Sequence, residues 1–197
     1  TMEDAVLRAC GRPHTAADVL LRYKEAVDAG FDAINMDLIA GLPKDSYEGF
    51  CRSLDTVAAL APANITVHTL ALKKGADLFE KRENLPSAEE VTAMVAYANE
   101  TLRALGYKPY YLYRQKNMKG NFENVGYSKV DKAGIYNILI MEEKEPIIAL
   151  GAGGASKLVV PNSNRIERVE NVKDVSNYIA RIDEMIERKR AGITKWL

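Results

Sequence analysis

Residues Ala33–Pro43 read AINMDLIAGLP, and this stretch decides the fold of the chain. Its side chains alternate as those of a β-strand do, because successive strand residues point to opposite faces. Gly41 and Pro43 end the strand, since glycine accepts unusual backbone angles and proline lacks an N–H for the sheet. One face carries Ile34, Met36 and Leu38, and the other carries Asn35, Asp37 and Ile39. A strand over Ala33–Leu38 is therefore predicted, with one apolar face and one face that holds an amide and a carboxylate.

Asp37 is the most informative residue of this strand. Helical segments flank the strand in the chain, so we expect both of its faces to be covered and Asp37 to be buried near its carboxyl end. A buried carboxylate without a partner is costly, so Asp37 needs either a protein donor or a ligand. Ligands of open α/β sheets and barrels bind at the carboxyl ends of the strands, where an acidic residue can accept both hydroxyls of a ribose. Asp37 is thus the strongest candidate for a ribose contact, although the residues alone leave both kinds of partner open.

The segments around this strand predict a βαβ unit. Thr15 with Asp18, and Asp45 with Glu48, have the spacing of helix-capping pairs, and apolar residues follow them at helical intervals. The β-branched run NITVHTLAL predicts a second strand. Two strands joined through a helix form a parallel pair with a right-handed crossover. The predicted order is helix 15–30, strand 33–38, helix 45–61 and strand 64–72.

The second half of the chain predicts a smaller α+β region. Ser87 with Glu90 forms a third capping pair, and the helix that it begins ends at Gly106. The segment 114–134 is polar and contains glycine and asparagine, which predicts a loop. The other predicted elements are a short helix over 77–82, strands over 136–141, 146–150, 157–160 and 165–169, and a last helix over 174–190. An internal boundary between Gly75 and Pro86 is expected to divide the chain into residues 1–75 and 76–197.

Composition and charge exclude several classes of protein. The chain has 27 basic and 27 acidic residues among 197, so no net field attracts nucleic acid or an anionic membrane. No apolar run approaches the roughly 20 residues of a membrane span, and no secretory signal is seen. The two cysteines, Cys10 and Cys51, have no motif spacing, which fits a reducing compartment. We therefore expect a cytoplasmic protein without a nucleic-acid or membrane partner.

Other residues that could carry chemistry have weaker patterns. The segment GAGGAS, Gly151 to Ser156, lacks the third glycine and the βαβ setting of a dinucleotide site, so close backbone packing or a loop that faces a substrate is favoured over phosphate binding. His14 and His68 lie in different elements and form no HxxH or HExxH pair, so a zinc site is not predicted. We expect His68 to pack behind its strand.

A group of tyrosines and cations is the remaining candidate for ligand contact. Tyr107, Tyr110, Tyr111 and Tyr113 most often would pack in the core or at an edge, but a flat aromatic substrate could also use them. Arg114, Lys116 and Lys157 are ordinarily solvated, yet beside such a surface they could bind carboxylates.

Several segments, in this order, resemble the oxygen-independent coproporphyrinogen III oxidase family of radical SAM enzymes. They are GRPHT, NMDLIAGLP, ITVHTLALKKG, YYLYRQKNMKGNFENVGY and YNILIMEEKEPIIALGAGGASK. The closest likeness is to the HemZ-type branch, the coproporphyrinogen dehydrogenases. DLIxGLP is shared by several radical SAM relatives, whereas YLYRQKNM with ENVGY is much more specific to this branch. The resemblance covers nearly the whole chain.

The resemblance implies an α/β fold, namely the C-terminal part of a radical SAM (β/α)6 partial barrel followed by a smaller α+β domain that covers the substrate. It also implies S-adenosylmethionine at the carboxyl ends of the strands, beside a four-iron, four-sulfur cluster. The family's contacts to S-adenosylmethionine carry over to four positions. Arg12 would meet the methionine carboxylate, Asp37 the ribose hydroxyls, and Ile39 and Ala71 the adenine side.

The reaction implied by the resemblance is the oxidative decarboxylation of two propionates of coproporphyrinogen III, which gives protoporphyrinogen IX in haem biosynthesis. Arg114, Lys116 and Lys157 are the candidate contacts for the porphyrinogen carboxylates, because they lie in or beside the branch-specific segments. The electron donor and acceptor are not implied. A haem-binding chaperone of the same superfamily and a non-catalytic binding module are the alternatives.

The chain departs from the family in one large respect. The CxxxCxxC motif that ligates the cluster is absent, as are the earlier barrel strands. We therefore expect the chain to be the C-terminal part of a longer enzyme, and to bind no cluster and cleave no S-adenosylmethionine by itself. A truncated barrel exposes the edge of the Ala33 strand, so we also expect self-association.

Overall fold

The computed structural model describes residues 1–72, 84–114, 123–160, 162–163 and 165–196. The chain divides into two compact units, Thr1–Ile135 and Tyr136–Leu197. The expected boundary between Gly75 and Pro86 falls inside the first unit, because strands from both sides of it share one sheet. The assignment of residues 1–75 to a barrel and 76–197 to a covering domain stays a prediction.

The first unit is a mixed four-stranded sheet with helices. Strand β1 pairs with β2 in parallel, and β2 and β3 each pair with β4 in antiparallel, so the strand order is β1-β2-β4-β3. The predicted βαβ unit is thus confirmed. In chain order the elements are α1 (Asp4–Ala9), α2 (Ala16–Asp28), β1 (Asn35–Ala40), α3 (Tyr47–Ala59), β2 (Asn64–Thr69), α4 (Ala88–Ala104), β3 (Lys108–Tyr113) and β4 (Asn124–Ser128).

Helices α2, α3 and α4 begin at residues whose side chains cap them. Thr15 and Ser87 each accept a hydrogen bond from a backbone N–H one turn on, and Asp18 and Glu90 accept one in return, so both predicted capping boxes are confirmed. The cap of α3 was predicted wrongly. Its N-cap is Ser46, whose hydroxyl accepts from the N–H of Gly49, and not Asp45.

The core lies between one face of the sheet and the helices α3 and α4. Apolar side chains at helical spacing on these two helices meet alternate residues of β1 and β2, which explains why the opposite strand face carries polar residues. The largest of its fully buried side chains are Leu38, Phe50, Leu54, Ile65, Met94 and Leu102.

Two segments differ from the sequence-based expectation. The predicted loop over 114–134 contains β4, which is a strand because β2 and β3 supply hydrogen bonds on both of its sides. The predicted strand over 136–141 is instead part of helix α5 (Ile135–Met141). The predicted short helix over 77–82 lies outside the described residues.

The second unit contains nearly all of helix α5, a hairpin and two further helices. The antiparallel strands are β5 (Ala155–Val159) and β6 (Ile166–Glu170), and the helices are α6 (Val175–Ala180) and α7 (Ile182–Trp196). The predicted strand over 146–150 is reduced to a single bridge between Ile147 and Lys157. The predicted last helix is two helices, because the backbone departs from helical angles at Arg181. Within the described ranges, no helix is long and apolar enough to cross a membrane.

Candidate functional site

A cavity of about 1030 Å³ lies in the first unit, at the carboxyl ends of β1 and β2. Residues of α1 and of the segment after it form one wall, and Asn124 at the start of β4 reaches the same space. Parallel strands end at one edge of a sheet, so their last side chains and the loops that follow meet there. The strand order of the first unit therefore builds the cavity at the place where the sequence predicted a ligand.

The structure brings four predicted contact residues together. Arg12, Asp37, Ile39 and Ala71 all line this cavity, although they come from three different segments of the chain. The side chains of Ile39 and Ala71 are partly buried, whereas Arg12 and Asp37 are exposed. The cavity is thus lined by two apolar side chains, one basic side chain and one acidic side chain from this predicted set.

Asp37 is not buried as predicted, since 57% of its side chain is exposed. The expectation assumed that elements would cover both faces of β1, but its polar face stays open among the described residues. The carboxylate nevertheless has protein donors. Asn35 Nδ2 donates to Asp37 Oδ1 at 2.6 Å, and His68 Nε2 lies 3.5 Å from Asp37 Oδ2. Both a donor and open space for a ligand are therefore present.

These neighbours keep Asp37 charged. The hydrogen bond from His68 lowers the pKa of Asp37 most, burial raises that pKa, and the hydrogen bond from Asn35 lowers it further. The net shift is downward. At neutral pH the side chain is thus a carboxylate that can accept hydrogen bonds from hydroxyl groups.

The expectation that His68 packs behind its strand was wrong. His68 lines the cavity, and the parallel register pairs it with Ile39 on the face that carries Asp37. The alternation of apolar residues in ITVHTLAL does show which face His68 occupies. It does not show that a carboxylate from the neighbouring strand lies on the same face.

Sequence reasoning also missed a polar pair at the end of β2. Thr69 is 4% exposed, and its Oγ1 has no hydrogen-bond partner among the described residues. Asn124 Oδ1 accepts from the backbone N–H of Thr69 at 3.0 Å, and both side chains line the cavity. A buried hydroxyl without a partner is unfavourable in the protein alone, so Thr69 places an unsatisfied polar atom beside the cavity.

The residues of this cavity fit S-adenosylmethionine and do not fit an iron–sulfur cluster. The sulfonium ligand offers a ribose diol, a carboxylate and a flat base, and the cavity offers an acceptor, a guanidinium and apolar side chains. Cluster iron is held mainly by cysteine thiolates, and this sequence has Cys10 and Cys51 only. No group of three or more metal-ligating side chains occurs in the part of the chain that the structure describes.

The predicted porphyrinogen contacts are divided between the two units. Arg114, in the first unit, pairs with Glu123 at 2.8 Å, and Lys157, in the second, pairs with Glu143 at 2.9 Å. Both are exposed ion pairs of small energy, so the cations remain exchangeable toward another carboxylate. Lys116 lies outside the described residues.

The glycine-rich loop, Gly151 to Ser156, forms hydrogen bonds within the second unit. Gly151 and Gly153 have positive φ angles of 88° and 72°, which glycine adopts without strain. Asn171 Nδ2 donates to the carbonyl of Gly151 at 2.7 Å, and the N–H of Gly153 donates to the carbonyl of Val172. The loop therefore shows the close backbone packing that the sequence favoured.

The chain is similar to known proteins across most of its length. It is 40% identical over 189 residues to the oxygen-independent coproporphyrinogen-III oxidase-like protein HemZ of Bacillus subtilis, a match that covers 95% of this chain and 38% of that protein. It is 32% identical over 106 residues to the oxygen-independent coproporphyrinogen III oxidase of Pseudomonas aeruginosa, which covers 52% of this chain and 23% of that enzyme. It is 29% identical over 114 residues to the heme chaperone HemW of Bacillus subtilis, which covers 56% and 30%. No family model matches the chain.

A solved structure shares the fold. The chain superimposes with a TM-score of 0.68 on coproporphyrinogen III oxidase (HemN) from Escherichia coli, a radical SAM enzyme, at 19% identity. The match covers 92% of this chain and 41% of the enzyme, so the chain spans less than half the length of these relatives. The predicted α/β fold, part of a radical SAM barrel with a smaller α+β region, is confirmed. The predicted resemblance to oxygen-independent coproporphyrinogen III oxidase-like proteins is confirmed by the 40% identity to HemZ over 95% of this chain.

Proposed function

We propose that this chain is the C-terminal part of a longer radical SAM oxidoreductase that oxidatively decarboxylates coproporphyrinogen III to protoporphyrinogen IX in haem biosynthesis. The observation that carries the proposal is the meeting of Arg12, Asp37, Ile39 and Ala71 at one cavity. Chance would not be expected to collect these residues at the carboxyl edge of the sheet. The similarity to HemZ over 95% of the chain supports the same proposal.

Each of these residues has a role that suits its chemistry. The Asp37 carboxylate accepts hydrogen bonds from the two ribose hydroxyls of S-adenosylmethionine, and the Arg12 guanidinium pairs with the methionine carboxylate. Ile39 and Ala71 present apolar surface to the adenine. Thr69 Oγ1, which lacks a partner among the described residues, supplies a further polar contact.

The difficult chemistry belongs to the cofactors. When bound, S-adenosylmethionine and a four-iron, four-sulfur cluster held elsewhere in the parent enzyme supply the radical oxidation. This chain contributes binding and orientation. Arg114, Lys116 and Lys157 bind the porphyrinogen carboxylates, and each exposed ion pair of Arg114 and Lys157 opens at small cost when the substrate arrives.

The proposal can be tested by titrating the ¹⁵N-labelled chain with S-adenosylmethionine and recording nuclear magnetic resonance spectra. This method locates the binding site even when the affinity is low. We expect shift changes at β1, at Thr69–Ala71 and at Arg12. Asp37→Asn should weaken the binding about tenfold or more, since it removes a charge-assisted acceptor.

Asp32→Asn is the matched control. Asp32 is an exposed aspartate of the same unit that pairs with Lys132 at 2.8 Å and does not line the cavity. Binding should be unchanged in this variant. Shift changes that avoid the cavity, or equal affinity of the wild type and Asp37→Asn, would contradict the assignment.

A haem-binding chaperone is the second candidate, and the 29% identity to the heme chaperone HemW favours it. The two candidates differ in their ligand. The parent enzyme should turn over coproporphyrinogen III if it is an oxidase, whereas a chaperone should bind haem stoichiometrically in an absorbance titration and leave coproporphyrinogen III unchanged.

A further inference from the structure

A chain of hydrogen bonds runs across three strands to Asp37. Asn35 of β1 donates through Nδ2 to Asp37 Oδ1, and His68 of β2 approaches Asp37 Oδ2 at 3.5 Å. The two contacts come from different strands and involve different oxygens of one carboxylate: Asn35 forms a hydrogen bond, and His68 lies at ion-pair distance. Each oxygen of the carboxylate therefore has a protein neighbour.

The orientation of Asn35 is itself fixed. Thr66 Oγ1 donates to Asn35 Oδ1 at 3.1 Å, and the side chain of Thr66 is buried, at 1% exposure. An amide whose oxygen accepts from a hydroxyl must direct its N–H groups elsewhere, in this case at Asp37. Thr66 thus prevents the amide of Asn35 from turning its oxygen toward the carboxylate.

The next member of the chain is Tyr111 of β3. Its hydroxyl lies 3.2 Å from Thr66 Oγ1, and because Thr66 gives its one proton to Asn35, Tyr111 donates to Thr66. The ring of Tyr111 lies against Gly126 of β4, where an added Cβ would be 1.9 Å from Tyr111 Cε1. Only glycine at this position leaves the ring where its hydroxyl reaches Thr66.

We propose that Asn35 and His68 are positioning residues that clamp the carboxylate of Asp37 for a ligand with two adjacent hydroxyls, and that Thr66 and Tyr111 orient Asn35 in this clamp. Each of the two residues faces one oxygen of the carboxylate, and Asp37 lines the cavity with 57% of its side chain exposed, so lone pairs of the carboxylate remain available to a ligand. Two parallel acceptors match a vicinal diol, because its hydroxyl groups lie side by side. The proposal rests on the proposed function and assigns residues that the family resemblance did not.

The test uses paired substitutions in the full chain. Asn35→Leu, His68→Leu and Thr66→Val each remove one polar group at nearly constant size, whereas His68→Gln and Thr66→Ser keep a donor. We expect the first three to weaken binding of S-adenosylmethionine by about three- to tenfold, and the two conservative variants to recover most of the loss. Adenine without ribose should bind all variants equally, since it does not reach the clamp.

A measurement without ligand separates the clamp from the cofactor assignment. The pKa of Asp37, followed by carbon-13 resonance of its carboxyl group, should rise in Asn35→Leu and His68→Leu and stay low in His68→Gln. If this occurs while the wild-type chain binds no S-adenosylmethionine, the proposed function fails and the clamp stands. Unchanged pKa of Asp37 together with unchanged affinity in Asn35→Leu and His68→Leu would overturn the clamp. If Thr66→Val does not fold, the comparison of Asn35→Leu and His68→Leu with the wild type still decides whether the clamp exists.

Discussion

At the scale of single residues, we expect Thr69 to affect both the free energy of unfolding and the affinity for the proposed ligand. Its Oγ1 is buried without a partner among the described residues, which costs about 1–3 kcal/mol for such a group. Thr69→Val removes the hydroxyl at constant size. We therefore expect the free energy of unfolding to stay equal or rise by about 1 kcal/mol, while affinity for S-adenosylmethionine falls.

Chemical denaturation and ligand titration of the same Thr69→Val sample check this expectation. Thr69→Ser is the matched control, because it keeps the hydroxyl and loses only a methyl group. The role given to Thr69 is wrong if the valine variant binds as the wild type does.

Because of Tyr107, we expect the free energy of unfolding to change with pH in the alkaline range. Its side chain is 3% exposed, and its hydroxyl donates to the carbonyl of Pro62 at 2.7 Å. Burial raises the pKa of Tyr107 to about 12, whereas an unfolded tyrosine titrates near pH 10. The folded state therefore holds the proton more tightly, so this stabilisation is complete below about pH 10 and is lost as pH rises through about 12.

Urea denaturation between pH 9 and pH 12 measures this effect. Tyr107→Phe should be less stable than the wild type at pH 9, because the buried carbonyl of Pro62 loses its donor. The difference should shrink toward pH 12. A constant difference across this range would show that Tyr107 does not titrate on unfolding.

At the scale of elements, β4 is a strand because of its neighbours. Its sequence NVGYS contains residues that disfavour strands, and β2 and β3 impose the extended conformation from both sides. For the same reason the sequence could not reveal it. Helix α5 was missed in the opposite way, since IYNILIM is rich in residues that favour strands.

The elements that could be predicted are those with local signals. The capping residues Thr15 and Ser87 and the alternation in β1 act within a few residues, so the βαβ unit is readable from the chain. The contact between Asp37 and His68 depends on the register of two strands, and that register is set by packing of the whole sheet. The position of the carboxylate at the carboxyl edge of the sheet was therefore predictable, while its neighbours and its exposure were not.

The contact between β3 and β4 gives a test at this scale. Gly126→Ala places a Cβ where the ring of Tyr111 lies, so we expect a loss of about 1–3 kcal/mol in the free energy of unfolding. The loss should be smaller when the ring is absent, in a background of Tyr111→Ala. Thermal denaturation of the single variants and the double variant provides the cycle. Equal costs in both backgrounds would show that the ring is not the obstacle.

At the scale of the whole molecule, the cysteine content of the chain gives a test of the proposed function. Its sequence has two cysteines, and Cys10 and Cys51 are both free. We predict that anaerobic reconstitution with iron and sulfide yields no stoichiometric four-iron cluster and that no 5′-deoxyadenosine is released from S-adenosylmethionine. A cluster-type absorbance band with four irons per chain would contradict this prediction.

The free edge of the sheet predicts association between copies of the chain. Strand β1 has β2 as its one neighbour among the described strands, and Phe31 just before it is 68% exposed. We expect the sedimentation coefficient to rise with concentration and Phe31→Lys to reduce that rise. Leu112→Lys, at a residue of the opposite edge strand β3 that is 61% exposed, serves as the comparison and should reduce the rise less if the β1 edge is the contact. A sedimentation coefficient that is constant with concentration would remove this expectation.

The central position of β2 in the sheet also determines how fast its amide hydrogens exchange with solvent. This strand has a hydrogen-bonded neighbour on each side, and Ile65 and Thr66 are almost fully buried. Its amide hydrogens can exchange with deuterated water only when the sheet opens as a whole, whereas the outer edges of β1 and β3 exchange by local fraying. The slowest-exchanging amide hydrogens of the first unit should therefore be those of β2, the strand that carries Thr66 and His68. Thr66 and His68 on β2 would then keep their places while the edge strand frays, and Asn35 and Asp37 on β1 would be released before them.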